Sequence, residues 1–269
     1  MKPACELRER AGRGEALFGT FVTEIATPGL AVILKRCGFA FYVIDLEHAC
    51  IDDSQMRTLI DAGRHNGLCP MVRVADPGRA TITRALDAGA EGIIVAMTRS
   101  LADAEAAVQA TKYPPEGRRG VHMLRPHTDF NPPKDIAAHM ALANRSLITG
   151  IQIETTEAVD LIEPLAAMPG VDLLYVGPVD LSVALGRPGA PGNGLVLDVA
   201  ERTARACRAH GKLSGIHAAD ATTLSRLVPA GMSLFGHAAD MRLLWSGAQA
   251  FMDGALRDLA TITGAGTER

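Results

Sequence analysis

Residues 39–74 read "FAFYVIDLEHACIDDSQMRTLIDAGRHNGLCPMVRV". The segment opens on "FAFYVID" (39–45) and closes on "PMVRV" (70–74), two short apolar runs rich in β-branched and aromatic residues, as strands are. Between them, "DDSQMRTLIDAGRHNG" carries helix signals. Asp52, Asp53 or Ser54 can cap its start, Met56, Leu59 and Ile60 supply an apolar face, and Gly67 ends the pattern. Strand, helix and strand in succession predict two parallel neighbours in one sheet.

Working outward, six more runs of the same kind occur: "ALFGTFV" (16–22), "GIIVAM" (92–97), "LITGIQIE" (147–154), "LLYVG" (173–177), "LSGIH" (213–217) and "MSLFG" (232–236). Helical periodicity fills the gaps between them. Eight strand–helix units in 269 residues fit an α/β (β/α)8 TIM barrel, a fold that needs about 250 residues, better than an open doubly wound sheet. The whole chain, 1–269, reads as one such domain. No GxGxxG follows a strand and no GxxxxGK[ST] is present, so dinucleotide and Walker-type phosphate binding have no handle. The Gly/Pro-rich "GRPGAPGNG" (186–194) reads as a flexible loop.

With 48% hydrophobic and 21% charged residues the chain can bury a large core. Its net charge of −3, without any dense Lys/Arg run, offers no footprint for nucleic acid or an anionic membrane. Five scattered cysteines without CxxC pairing favour free thiols and a cytoplasmic setting. The start, "MKPACELRERAGRGEALFG", is charged where a signal peptide would be apolar.

Barrel enzymes carry their chemistry at the C-terminal strand ends. There the sequence places Asp45, Glu47 and His48, then Arg73, then Gln152 and Glu154, then "GPVD" with Asp180. Gln152 and Glu154 stand two apart and so share the inward side of their strand, while Ile151 and Ile153 face the helices. Glu154 and Asp180, on adjacent strand ends, suit Mg²⁺ or Mn²⁺, which take oxygen ligands and leave positions for water and substrate. Asp45, three residues before His48, is placed to orient that imidazole as a general base, and Arg73 to pair with Asp45 or Glu47. His65, His122, His127, His139 and His210 read as surface groups.

These residues, with "RALDAGAEGIIV", "KYPPEGRRGV", "IQIET" and "GPVDLSVALG", resemble the HpcH/HpaI aldolase family over nearly the whole chain. The resemblance implies a metal-dependent (class II) 2-oxo-acid aldolase that cleaves a 4-hydroxy-2-oxo acid to pyruvate and an aldehyde. It implies Glu154 and Asp180 as ligands of Mg²⁺ or Mn²⁺, with Co²⁺ also possible, and Gln152 in support of the metal or its waters. The 2-oxo acid would be bound by Arg73 and by the backbone of Gly177, Pro178, Val179 and Asp180. Arg73 would meet charge on the keto oxygen, and His48 with Asp45 would handle protons. Asp87 in "RALDAG" matches a further family position, and a helix-end role fits it equally. The resemblance also implies a hexamer, a trimer of dimers with exchanged C-terminal helices, for which "MRLLWSGAQAFM" offers an apolar face.

Two departures stand near the mouth: Ala96, where many relatives have proline, and "FGHAAD" in place of a Gly-x-Asp turn, with His217 and His237 close by. Other readings remain open. A citrate-synthase-like or CoA-linked lyase would use the same enolate chemistry, and a non-catalytic binding barrel needs none. A Schiff-base aldolase would need a lysine at a strand end, and Lys35, Lys112, Lys134 and Lys212 fall elsewhere.

Overall fold

The computed structural model describes residues 2–263. Eight parallel strands close in sequence order into a barrel: β1 (Leu17–Val22), β2 (Phe41–Asp45), β3 (Cys69–Val74), β4 (Gly92–Val95), β5 (Ile148–Ile153), β6 (Leu173–Val176), β7 (Leu213–Ile216) and β8 (Leu234–Ala239). The expected (β/α)8 barrel is therefore present, each strand falling on one of the eight runs.

Helix α1 (Pro3–Gly12) precedes β1, and α2 (Pro28–Arg36), α3 (Asp53–His65), α4 (Arg79–Ala88) and α5 (Leu101–Thr111) follow the first four strands. A loop and α6 (Ile136–Ser146) lead into β5. The pair α7 (Thr156–Asp160) and α8 (Ile162–Ala167) then leads to β6, and α9 (Pro178–Ala184) and α10 (Gly194–Ala209) to β7. The last two are α11 (Ala221–Ala230) and α12 (Asp240–Thr263). Residues 186–193 lie in the connection between α9 and α10, largely exposed.

Local chemistry explains α3. Asp52 caps it, accepting from Gln55 N at 2.8 Å while the Gln55 side chain accepts from Asp52 N at 2.9 Å. Met56, Leu59, Ile60 and Gly63 are buried on its inner face, and Gly67 takes φ +69, a left-handed turn that suits glycine.

Alternation along the strands sorts the core into two layers. Ile44, Val72, Val95, Ile151, Ile153 and Val176 pack outward against the helices. Phe41, Val43, Met71, Ile148, Leu173 and Tyr175 fill the barrel, whose floor is closed by Ala4 and Leu7 of α1. Residues that continue the inward series at the strands' C-terminal ends must therefore crowd one mouth.

The C-terminal ends of two strands depart from expectation by two residues or more. β4 stops at Val95 because Met97 turns into the left-handed region at φ +50, and β8 runs past Gly236 to Ala239 through Ala238 at φ +57. "FGHAAD" is thus the end of a strand rather than a turn beyond it.

Candidate active site

The β2–β3 register sets Asp45 opposite Arg73. Both continue inward series, so they meet inside the barrel: Arg73 Nε donates to Asp45 Oδ1 at 2.9 Å and Nη2 to Oδ2 at 2.8 Å. This forked pair fixes the guanidinium in one plane. Burial alone would raise the Asp45 pKa, but the Arg73 bonds and charge, with the backbone N–H groups of Glu47 and His48, bring it below the usual carboxylate value. The Arg73 guanidinium also lies 4.8 Å from the centre of the Phe21 ring, a cation–π contact.

This geometry corrects one expectation. Asp45 is taken up by Arg73, and the carboxylate near the His48 imidazole is Glu47, with 3.7 Å between Nε2 and Oε2. Asp45 and His48 are not an oriented dyad here, because the inward register gives the aspartate to β3 while His48 turns out to the rim, its side chain 62% exposed. Glu47 Oε2 lies 3.2 Å from Arg73 Nη1 without hydrogen-bond geometry and is left unpartnered. Burial raises the Glu47 pKa, against the lowering fields of Arg73 and His48.

Across the mouth, Glu154 follows β5 and is buried. Met97 N donates to its Oε1 at 2.7 Å, and Gln152 Nε2 to its Oε2 at 2.5 Å. Met97 itself stands in the left-handed region at φ +50, local strain at a strand end. Gly177 completes the cradle: a Cβ there would lie 2.4 Å from Glu154 Oε2 and 2.7 Å from Gln152 Nε2. Burial first, and then the charges of Glu47 and Asp180, push the Glu154 pKa up to about 7 against the Met97 N–H and Arg73. Gln152 Oε1 is buried without a partner. Negative charge gathered to this degree in a buried site calls for a cation.

A pocket of about 410 Å³ opens here, lined among others by Asp45, His48, Arg73, Gln152, Asp180 and His217. Gly177, Pro178 and Val179 border it, and the first-turn N–H groups of α9 have no partners within their helix.

Other expectations fare differently. Asp87 stands on the last turn of α4, at the end of the helix away from the mouth, where it bonds to Arg119 at 3.1 Å. The structure places it outside the pocket of its own chain. His127 is not a surface group: it is buried beside Asp87 (4.0 Å) and His139, and burial with the nearby Arg119 charge pulls its pKa down to about 4. His237 is exposed on β8.

Three contributors escaped the sequence reading. Phe21 is the platform under Arg73. Met97 acts through its backbone, for which no side-chain motif exists. Asp240, at the start of α12, accepts from Thr23 Oγ1 (2.7 Å), Glu24 N (2.9 Å) and Ile25 N (2.6 Å), tying the β1–α2 loop to the mouth. Its signal was the aspartate ending "FGHAAD".

Residues 18–245 match the model of the family described as HpcH/HpaI aldolase/citrate lyase. The chain belongs to that family. It is 32% identical over 246 residues to the pyruvate aldolase of Rhizobium etli, covering 90% of this chain and 92% of that one. It is also 32% identical over 248 residues to a hydroxypyruvate/pyruvate aldolase of Pseudomonas aeruginosa, covering 90% and 89%. Its fold superposes on an HpcH/HpaI aldolase from Desulfitobacterium hafniense with a TM-score of 0.84 at 29% identity, covering 94% and 96% of the two chains. The protein is a carbon–carbon lyase of the class II aldolase type.

The residue types at this mouth fit the divalent metal of such a lyase. Carboxylate oxygens such as those of Glu154 and Asp180 are the ligand type of Mg²⁺ and Mn²⁺, and Gly177, without a Cβ, lets the Glu154 carboxylate lie close against its backbone. Among the described residues no group of three or more His, Cys, Asp or Glu is arranged to hold a metal. The protein's share would be two ligands, with substrate and water supplying the rest.

Proposed function

We propose that the protein reversibly cleaves 4-hydroxy-2-oxo acids to pyruvate, or a related 2-oxo acid, and an aldehyde, with Mg²⁺ or Mn²⁺ held by Glu154 and Asp180. The observation that carries this reading is Glu154 itself, a buried carboxylate with its pKa raised to about 7 beside a pocket, next to Asp180 and opposite an arginine locked in place. When bound, the cation supplies positive charge beside the keto oxygen of the 2-oxo acid.

The chain's own groups do the rest. Arg73, held by Asp45, meets negative charge developing on the keto oxygen as the methyl proton is lost or the carbon–carbon bond breaks. The N–H groups of Val179 and Asp180 receive the carboxylate, and Gln152 orients Glu154 through its amide. His48, exposed at the rim and near Glu47, exchanges a proton with the aldol oxygen through water. Asp45 thus serves as the positioner of Arg73.

We further infer that copies of the chain associate through α12, which exposes Met241, Leu244, Trp245, Phe251 and Leu256. A hexamer in the reducing cytoplasm is the expected form. The five cysteines are all free, and no described helix is long and apolar enough to cross a membrane.

The test is pyruvate methyl-proton exchange in D₂O followed by NMR, with Mg²⁺ or Mn²⁺, with chelator, and in Glu154→Ala and His48→Ala variants. Exchange that requires both metal and Glu154 supports the reading. Its absence with every metal removes pyruvate as the donor.

A further inference from the structure

Away from the mouth, a second cluster of polar side chains is buried without being satisfied. His127 sits in the short 3₁₀ turn Pro126–Thr128, its side chain only 8% exposed. Three neighbours close around it. Asp87 comes from the last turn of α4, Arg119 from the loop after α5, and His139 from α6, with 6.0 Å between the centroids of the two imidazoles. Neither nitrogen of His127 has a hydrogen-bond partner, and His139 Nε2 and Arg119 Nε are also buried and unpartnered. The carboxylate beside His127, Asp87 Oδ1, stands 4.0 Å from Nδ1 and already accepts from Arg119 Nη2 at 3.1 Å.

Such a slot suits an uncharged ring. An imidazolium carries two N–H donors, and here both would be buried unpaired beside the Arg119 guanidinium. Burial first, and then the charge of Arg119, pull the His127 pKa down from 6.5 to about 4, with His139 adding to this and Asp87 opposing it. His139 is driven the same way, by burial and then by Lys2 and Arg119.

Little else holds this stretch of chain. Among the described residues, the hydrogen bonds that reach residues 120–131 from elsewhere come from Arg64, which donates to Pro126 O and to Asp129 Oδ1, each at 2.9 Å. The other bonds of the stretch are local, such as Thr128 Oγ1 to Met123 O at 2.6 Å. Asp129 and Phe130 stand in succession in the left-handed region, at φ +53 and +55, a strain that non-glycine residues keep only where their surroundings impose it. Val121, Leu124 and Phe130 are exposed, so the stretch is anchored by Met123, Pro126 and His127, which are buried. Thinly bonded and strained, it belongs to the low-stability part of the fold.

We propose that residues 120–131 form an acid-released flap: the neutral imidazole of His127 latches it into the slot between α4 and α6, and protonation of that ring frees it while the barrel stays folded. The device goes beyond the aldolase reading and does not depend on it. A ring whose proton affinity is lowered by docking loses that docking as the pH falls. The latch is therefore at full strength above about 6.5 and weakens as the pH drops towards about 4.

The test is amide hydrogen exchange, read by mass spectrometry on the whole protein at pH 7 and pH 5 as protection factors corrected for the intrinsic effect of pH on exchange. In wild type, protection of residues 120–131 should fall about twentyfold between the two pH values, while peptides from β2, β3 and β5 keep theirs. His127→Phe and His127→Gln, which do not titrate, should give the flap equal protection at both. Flat protection in wild type, a fall of the same size in the variants, or a fall shared by the strands overturns the proposal. Nitrogen-15 NMR of the wild-type ring decides the matter even where both variants fail to dock. The ring should be uncharged at pH 5.5, and an imidazolium there overturns the latch.

Discussion

Two clusters that bury charge at opposite ends of this barrel differ in how they are satisfied. At the floor, the Lys112 ammonium donates to Asn144 O (2.8 Å), Leu147 O (2.8 Å) and Asp172 Oδ2 (2.6 Å), so that all three of its protons are used. Asp172 in turn takes Thr149 N at 2.9 Å and lies 3.1 Å from Arg8, and Glu91 receives Ala4 N at 2.9 Å from the plugging helix α1. At the mouth, Asp45 and Arg73 are saturated in the same manner, but Glu47 Oε2, Gln152 Oε1, Tyr175 OH and His217 Nδ1 are buried without partners. A satisfied buried network reports on folding. An unsatisfied one beside a pocket reports on ligands that complete it.

The sharpest way to break this contrast is to substitute one residue at each end. Glu154→Gln should lower metal-dependent pyruvate exchange by about a thousandfold or more, since it removes one of two proposed ligands, while urea unfolding of the metal-free variant shows no loss of stability. Lys112→Met should do the reverse. It strips the ammonium from Asp172 Oδ2, Asn144 O and Leu147 O, so denaturant unfolding should report a loss of about 3–5 kcal/mol, with the metal site of the folded fraction intact by metal titration. If Glu154→Gln proves the more destabilising of the two, the division between the ends is wrong.

A finer probe is Gly177→Ala. Its Cβ would intrude on Glu154 Oε2 and Gln152 Nε2, so metal affinity measured by calorimetry should fall about 10- to 100-fold. An unchanged affinity would detach the Gly177 cradle from the metal.

The smallest expected effect is a pH dependence. The Glu154 pKa is raised from 4.5 to about 7 in the folded, metal-free chain. A raised carboxylate gives a contribution to stability that is fully present below about 4.5 and is lost as pH rises through about 7. Metal requires the deprotonated form, so its affinity should drop about tenfold per pH unit below 7. Titration of metal binding between pH 5 and 8 checks this, and a flat profile would mean that Glu154 is already ionised.

Much of the site was legible because parity along a strand is a local property. Gln152 and Glu154, two apart in "IQIE", had to share the inward side, and Ile151 and Ile153 had to pack outward, as they do. Asp45 and Arg73 were each visible as strand-end charges. Their mutual bond was only one of two options, since the β2–β3 register that decides it lies in neither segment alone. The Asp45–His48 expectation failed for the same reason: a spacing of three suggests a dyad only until a neighbouring strand claims the carboxylate. Met97 was invisible because its contribution is a backbone N–H. His127 was misjudged as a surface residue because the 119–127 segment folds against α4, a contact no short-range pattern announces.

By itself, then, the sequence determined the number and order of strands, the inward or outward side of each residue on them, and the residue types gathered at one mouth. These follow from alternation and from the one-way run of parallel strand–helix units, both of which act over a few residues. Which charge neutralises which, and which buried polar atoms stay without a hydrogen bond, were decided only when the barrel closed. Those relations depend on the register between strands far apart in the chain, and pairing or burial within that closed space is what sets their energies.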